Sequence, residues 1–538
     1  MDKNVYQKRR KNLESRLIGV LAIFAQLIYI YAIVKGFNSD YPVISSIFIG
    51  FQLIAFLCFI LYVFNNWTIK VPGRKVLKEG YEQKVAVIIP TWSEPVSMVK
   101  STVLSVINQD YPIEKLLIVV SDDSRNPEML RMVYEVATEN SKLEILYNNP
   151  PTKGSIFRQG EAKSGNLNSA FRLIQDKYPD IEYIETRDAD DLVGSKEFLR
   201  DTVGQLMSDS SLAYVQTVKK LISSSGDPFG NKEEVFFKSL MLYKNGANAA
   251  FPCGSGLVWK KTALLDIGGF PEWNLVEDFQ SGAEALRKGW HSMYLPITGA
   301  VGQTSPEDIP NMYKQRGTWA MDSFRFFFWG NKKGLNLRQR LHFAESAINY
   351  MLSIGTYFYA FLPAVLLVFR ILPVRFTDFE FGLLQITQIL SVIVFTMCLA
   401  GRGDISIGAV MKSTQTLLGN FPVLLKSLVL TIVYGPNRKP NYKVTRKKNK
   451  QGIYILYVLP QILLVGVLIA SIIINVKEST SVANIDASNI LWALYFIYIY
   501  KQVILNSVFK WTNMFRKNTD ELQHPRYEPK LLMRLKQG

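Results

Sequence analysis

Long unbroken apolar runs alternate in this chain with one long stretch of mixed polar and apolar positions. Six runs, residues 17–34, 43–64, 348–369, 383–400, 453–476 and 490–508, are long and apolar enough to predict helices that cross a bilayer. The first follows a basic start, but no small-residue cleavage site comes after it, so it reads as a retained anchor rather than a leader. Lys501 lies within the last run, where its stem can snorkel or its ammonium can face the protein interior. A further apolar stretch, residues 413–434, is interrupted by Gly419, Asn420, Pro422 and Lys426. It predicts amphipathic helices at the membrane interface rather than a seventh span.

Between the second and third runs, residues 65–347 have the pattern of a globular domain. Residues 84–90 and 116–121 are near-continuous apolar runs of strand length, as buried parallel strands require. Residues 143–147 and 181–186 predict two more strands, and residues 96–108 and 162–177 predict helices between them. The latter helix is amphipathic, with Leu167, Ala170, Phe171 and Ile174 on one face. Strand–helix alternation predicts a twisted parallel α/β sheet, and such sheets bind ligands at the carboxyl ends of their strands. The expected organisation is two spans (1–64), a cytoplasmic domain (65–347), two spans (348–400), interface helices with a basic loop (401–452), two spans (453–508) and a basic tail (509–538).

Charge supports that layout. The 538 residues hold 62 Lys+Arg against 45 Asp+Glu, a formal charge of +17. Residues 1–16 contribute +4, residues 401–452 +9 and residues 509–538 +4, which is the whole excess. All three stretches fall on one side of a six-span arrangement, and the positive-inside rule makes that side the cytoplasm. Both termini are therefore expected inside a plasma membrane, with short outer loops at 35–42, 370–382 and 477–489. Topology and attraction to anionic lipid account for the basic excess, so the bilayer is the expected partner and nucleic acid is not. The scattered Cys58, Cys253 and Cys398 exclude a disulfide framework, and three scattered His exclude zinc-ligand spacing. Any metal must sit on carboxylates. The Lys-, Ile- and Asn-rich usage fits a bacterial source.

Carboxylates cluster where the pattern puts strand ends: Asp122-Asp123-Ser124 after the second, and Asp188-Ala189-Asp190-Asp191 after the fourth. One such cluster alone reads as a turn or helix cap. Two, in a chain without Cys/His sites, point to Mg²⁺ or Mn²⁺ shared with a diphosphate. A third pair, Glu277-Asp278, opens a helical run to Lys288, and by itself reads as a cap. No P-loop and no Gly-x-Gly-x-x-Gly pattern is present, which removes the usual ATPase and dinucleotide readings.

In this order the motifs resemble those of the processive, membrane-embedded family 2 glycosyltransferases, the cellulose-synthase-like group that includes hyaluronan and chitin synthases. The resemblance covers roughly residues 80–450. Pro90-Thr91-Trp92-Ser93-Glu94-Pro95 is similar to the strand end that holds uridine, and Asp122-Asp123-Ser124 to the DD(G/S) element. Lys163-Ser-Gly-Asn166-Leu-Asn168 is similar to KAGNLN, whose Lys contacts nucleotide phosphates, and Asp188-Ala-Asp190 to the DxD metal motif. Phe251-Pro-Cys253-Gly254-Ser255 resembles FFCGS beside the acceptor. Val276-Glu277-Asp278 resembles TED, whose Asp is the catalytic base. Gln315-Arg316-Gly-Thr318-Trp319 resembles Q(Q/R)xRW at the acceptor terminus, and Tyr442-Lys-Val-Thr445-Arg-Lys447 the gating loop over bound nucleotide.

The resemblance implies a Rossmann-like GT-A domain inserted between transmembrane helices. It also implies attack of an acceptor hydroxyl on C1 of a UDP-sugar, with inversion and loss of UDP. Asp278, beside Glu277, is then the base, and Asp188 and Asp190 hold Mg²⁺ or Mn²⁺. Thr91, Trp92, Glu94, Asp122, Asp123, Lys163, Asn166, Asp188, Gln315, Arg316, Tyr442, Thr445 and Lys447 serve the donor, while Cys253, Gly254, Ser255 and Trp319 serve the acceptor. The chain departs from the family pattern at Val276 (Thr in TED), Thr318 (Arg in QxxRW) and Tyr442 (Phe in the gating loop). The second puts a donor contact in question, with Arg316 as the replacement. No room is expected after the last span for a cyclic-di-GMP-binding PilZ domain. The implied function is a processive synthase that polymerises UDP-glucose into a β-linked polysaccharide and exports it. Single-sugar transfer to a lipid carrier, and a transporter with a degenerate nucleotide-sugar domain, remain alternatives.

Overall fold

The computed structural model describes residues 3–221, 227–302, 306, 308–439, 452–479 and 486–508. Eight strands form one sheet: β1 (Val85–Thr91), β2 (Leu116–Asp122), β3 (Glu144–Asn148), β4 (Tyr183–Thr186), β5 (Asp191–Val193), β6 (Leu212–Leu221), β7 (Leu257–Lys260) and β8 (His291–Gly302), in the order β3-β2-β1-β4-β7-β6-β8-β5. The first four are those the sequence predicts, and they pair in parallel. The other half is mixed: β7 runs antiparallel to both β4 and β6, and β5 runs antiparallel to β8. The expectation of a parallel sheet is therefore corrected to a mixed one. The extra strands escaped notice because β5 and β7 have three and four residues, and β6 carries Lys219-Lys220 just before its last residue.

β1 and β2 are apolar on both sides because helices cover both. Val85, Val87 and Ile89 pack with Val99, Val103 and Val106 of the helix Val96–Ile107. Ala86 and Ile88 pack with Leu167, Ala170 and Ile174 of the helix Ala162–Lys177, whose bounds match the sequence expectation. The strands are thereby fixed in register, and their C-terminal ends, Thr91 and Asp122, lie side by side.

Six helices among the described residues are long and apolar enough to cross a membrane: Asn12–Lys35, Pro42–Asn65, Leu337–Phe369, Phe379–Arg402, Ile455–Glu478 and Ala487–Asn506. Leu21, Leu57 and Leu383 point outward from them, as lipid contact requires. The third begins at Leu337, eleven residues before the apolar run. Its first turns carry Arg338, Gln339, Arg340, His342 and Glu345, and dock on the domain through a Lys244–Glu345 ion pair at 2.9 Å. A capping box of Asn336 and Gln339 starts it. The interrupted stretch forms two helices, Ile407–Gly419 and Phe421–Tyr434, bent by 50°. Pro422 and the Gly419-Asn420 pair supply that break. The basic loop and tail, with Tyr442, Thr445 and Lys447, lie outside the described residues.

Candidate active site

A cavity of about 540 Å³ opens at the carboxyl ends of the parallel strands. Trp92, Asp123, Lys163, Asp188, Asp190, Cys253, Asp278, Gln315, Arg316 and Trp319 line it, so one space gathers motifs spread over some 230 residues. Its lining continues to Tyr350, Thr416 and Asn420 on the membrane-side helices.

At the β1 end, Trp92 is 45% exposed and Lys153 lies 5.8 Å from its ring centroid. Glu94 accepts the Trp92 and Ser93 amides at 2.7 and 3.1 Å, so its carboxylate closes the turn. Asp122 corrects an expectation. It is fully buried and accepts from Thr91 Oγ1, Ser124 N and Oγ, Asn126 N and Tyr147 Oη, and it does not line the cavity. Burial disfavours its charge, but these donors outweigh it and hold its carboxyl below the usual range. It shapes the strand end, while Asp123, gripped by Arg158 at 2.6 and 2.9 Å, faces the cavity. Asn166 likewise ties β1 to β2, donating to Thr91 O and Ser121 O. Its buried Oδ1 is left without a hydrogen-bond partner among the described residues.

The acidic centre is built on two lysines. Lys163 Nζ reaches Asp188 at 2.6 Å, Glu277 at 3.3 Å and the Gly254 carbonyl at 3.2 Å. Lys219 Nζ reaches Asp188 at 2.9 Å and Asp191 at 3.1 Å. Burial opposes each charge, but the mutual attraction wins: Asp188 is held below the usual carboxylate range and both ammoniums are held up. Burial, then the neighbouring Glu277, pushes Asp278 up to about 7. Gly254, at φ +81°, lets the backbone close over this centre; a Cβ there would stand 2.9 Å from Lys163 Nζ and 3.3 Å from Asp278 Oδ2. Ser255 Oγ accepts the Asp188 amide at 3.1 Å, and Cys253 N donates to Gln216 at 2.7 Å.

Lys219 was missed from the sequence because β6 was not foreseen; Asp191, read there only as one member of the acidic cluster after β4, is its second partner. Among the described residues no three His, Cys, Asp or Glu side chains form a ready metal-ligand group, and both Asp188 oxygens are engaged by lysines. The oxygen chemistry of Asp188 and Asp190 fits a hard cation that draws most of its ligands from phosphate and water. Gly302 presses β8 onto this motif, since a Cβ on it would collide with the Asp190 carbonyl oxygen. Gly302→Ala should cost about 1–3 kcal/mol by overpacking, as thermal unfolding would register.

On the helix Ile309–Trp329, Arg316 stacks 4.8 Å from the Trp319 centroid. Its guanidinium, which also lines the cavity, pairs with Glu233 and with Asp227 at 3.3 Å. The Thr318 hydroxyl donates to the Lys314 carbonyl within the helix.

The sheet order, the acidic motif at the strand ends and the flanking apolar helices define a GT-A-like glycosyltransferase fold in a membrane protein. Residues 82–322 match the family model described as glycosyltransferase-like family 2, and this part of the chain is a family 2 glycosyltransferase domain. The chain is 28% identical over 370 residues to the cellulose synthase catalytic subunit [UDP-forming] of Pseudomonas fluorescens (strain SBW25), covering 65% of this chain and 47% of that protein. It is 29% identical over 323 residues to the cellulose synthase catalytic subunit [UDP-forming] of Xanthomonas axonopodis pv. citri (strain 306), covering 56% of this chain and 40% of that protein. The chain thus spans less than half the length of these relatives. The solved mannosyltransferase PcManGT from Pyrobaculum calidifontis, in complex with GDP-Man and Mn²⁺, shares the fold at 17% identity and a TM-score of 0.50, over 73% of this chain and 99% of that one.

Proposed function

We propose that this protein is a processive, inverting glycosyltransferase that polymerises a UDP-sugar, with glucose the favoured sugar, into a β-linked polysaccharide and passes it out through its own helices. One observation carries the reading. The cavity that holds Asp278, Asp190 and Trp319 continues to Tyr350 and Asn420 on the membrane-side helices, so the acceptor end and the spans share one space. The UDP-forming cellulose synthase subunits among the relatives support the donor and product class.

Asp278 takes the acceptor hydroxyl proton as that oxygen attacks C1 of the donor. Its raised pKa suits the task, because a base titrating near neutrality combines availability with proton affinity. Asp190, with Asp188 beside it, would hold Mg²⁺ or Mn²⁺, which when bound supplies charge neutralisation at the departing diphosphate. Lys163 and Lys219 set the Asp188 carboxylate beside that site. Trp92 offers a flat apolar face for uracil, and Trp319, braced by Arg316, offers one for the terminal sugar. Tyr442, Thr445 and Lys447 belong to this scheme as a loop over the nucleotide. The basic stretches favour a cytoplasmic domain and cytoplasmic termini in this scheme.

Purified protein given radiolabelled UDP-glucose and Mg²⁺ or Mn²⁺ should make high-molecular-weight product, and EDTA should abolish it. Digestion by linkage-specific glucanases then reads the linkage. A product one sugar longer than a lipid acceptor would overturn processivity, and no UDP release with any nucleotide sugar would overturn the enzyme.

A further inference from the structure

Asp278 sits in the first turn of the helix Glu277–Arg287, and that helix has Val276 at its N-cap. Valine has no side-chain oxygen, so the helix that carries the proposed base cannot cap itself in the usual way. Its entry is instead held from another element. Asp322 accepts the Leu275 amide at 2.8 Å with one carboxylate oxygen and the Val276 amide at 3.0 Å with the other. Its own carbonyl accepts from Asn274 Nδ2 at 3.3 Å. Asp322 is 2% exposed and lies one turn beyond Trp319 on the same helix. One turn further, Arg325 donates to the Trp273 carbonyl at 3.1 Å, with its guanidinium 4.6 Å from the Trp273 centroid. Residues 273–276 are thus fastened to the Trp319 helix at both ends, by Arg325 on Trp273 and by Asp322 on Leu275 and Val276.

We propose that Asp322 is a positioning residue that caps the Asp278 helix in trans, so that the base is held at a set distance from the Trp319 ring. This rests on reading Asp278 as the base. Trp319 and Asp322 share a rigid helix, and Leu275-Val276 lead directly into Glu277-Asp278. A sugar seated on Trp319 therefore meets a base whose place is set by the same element, which is how effective molarity is obtained.

The test uses the full-length protein with UDP-glucose. Asp322→Asn keeps the volume but turns an amide NH₂ towards one of two N–H donors. It should lower kcat at least tenfold while KM for the donor and Kd for UDP stay within about twofold. Amide exchange at Leu275 and Val276 should quicken at least tenfold, a readout that needs no turnover. Asp322→Glu, which keeps a carboxylate for the Leu275 and Val276 amides, should restore part of kcat relative to Asp322→Asn. Unchanged kcat and exchange, or kcat and UDP affinity falling together without rescue, would overturn the proposal. Full turnover by Asp278→Asn would instead overturn the base assignment, and would leave the exchange result to judge the cap.

Discussion

Asp278→Asn should lower turnover of the UDP-sugar by roughly 10²–10⁴-fold, the range for removing a general base, while UDP still binds. Asn keeps the shape and the hydrogen bond from the Phe279 amide, but it cannot accept the hydroxyl proton. Steady-state kinetics with a separate UDP-binding titration would read the two effects apart. The same group sets a pH profile. Burial first, and Glu277 second, push its carboxyl up to about 7, with Lys163 pulling the other way. The wild-type rate should therefore rise with pH through about 7, and the limb should vanish in the residual activity of the variant. Stability moves in the opposite sense. A carboxyl that titrates near 7 when folded and near 3.8 when unfolded contributes stability that is whole below about pH 4 and is lost as pH rises through 7. Asp278→Asn should accordingly melt higher than wild type at pH 8, with the gap closing towards pH 5. Equal melting at pH 8 would contradict the buried-charge account.

Asp188→Ala should damage both fold and function. Its carboxylate stands between two ammoniums, at 2.6 Å from Lys163 and 2.9 Å from Lys219, and the Lys219 side chain is 5% exposed. Removing one member of such a buried network costs of the order of 3–5 kcal/mol, because uncompensated charge stays behind. Glu277 and Asp191 remain as partners, which places the expected loss at the low end. Thermal unfolding should drop by at least about 5 °C, and nucleotide-sugar turnover should be lost. Asp188→Asn, which keeps the volume, should lose less stability than Ala and nearly as much activity. The Asp188 carboxyl is held low when folded, so its stabilisation is present above about pH 4 and fades as pH falls further. A variant as stable as wild type would mean that the lysines find solvent when the acid is gone.

Much of the architecture could be read from residue patterns because those patterns report burial. The β1 and β2 runs are apolar at every position since helices cover both faces, and the helix at 162–177 shows its apolar stripe for the same reason. Spans were legible as runs, except where Leu337 to Ala347 is polar yet helical against the domain. The site was legible only as a set of motifs. Which of the acids face the cavity was not, because Asp122 and Asp123 are neighbours with opposite surroundings, one filled by five donors and one gripped by Arg158. Arg316 was legible by place, but its partners Glu233 and Asp227 were not, since they come from more than eighty residues upstream.

The sequence by itself determined that apolar helices flank a strand–helix domain with acids at its strand ends, since apolar period and run length follow directly from which surfaces must leave water. Only the tertiary structure decided what those acids do. It brought β6, with Lys219, to within one intervening strand of β4, so that Asp188 became an ion-pair hub. It also laid the Trp319 helix against the Asp278 loop, so that Asp322 could serve a helix whose own N-cap is Val276. Charge and hydrogen bonding act over a few ångströms of space, and no spacing along the chain records which distant residues will come within that reach.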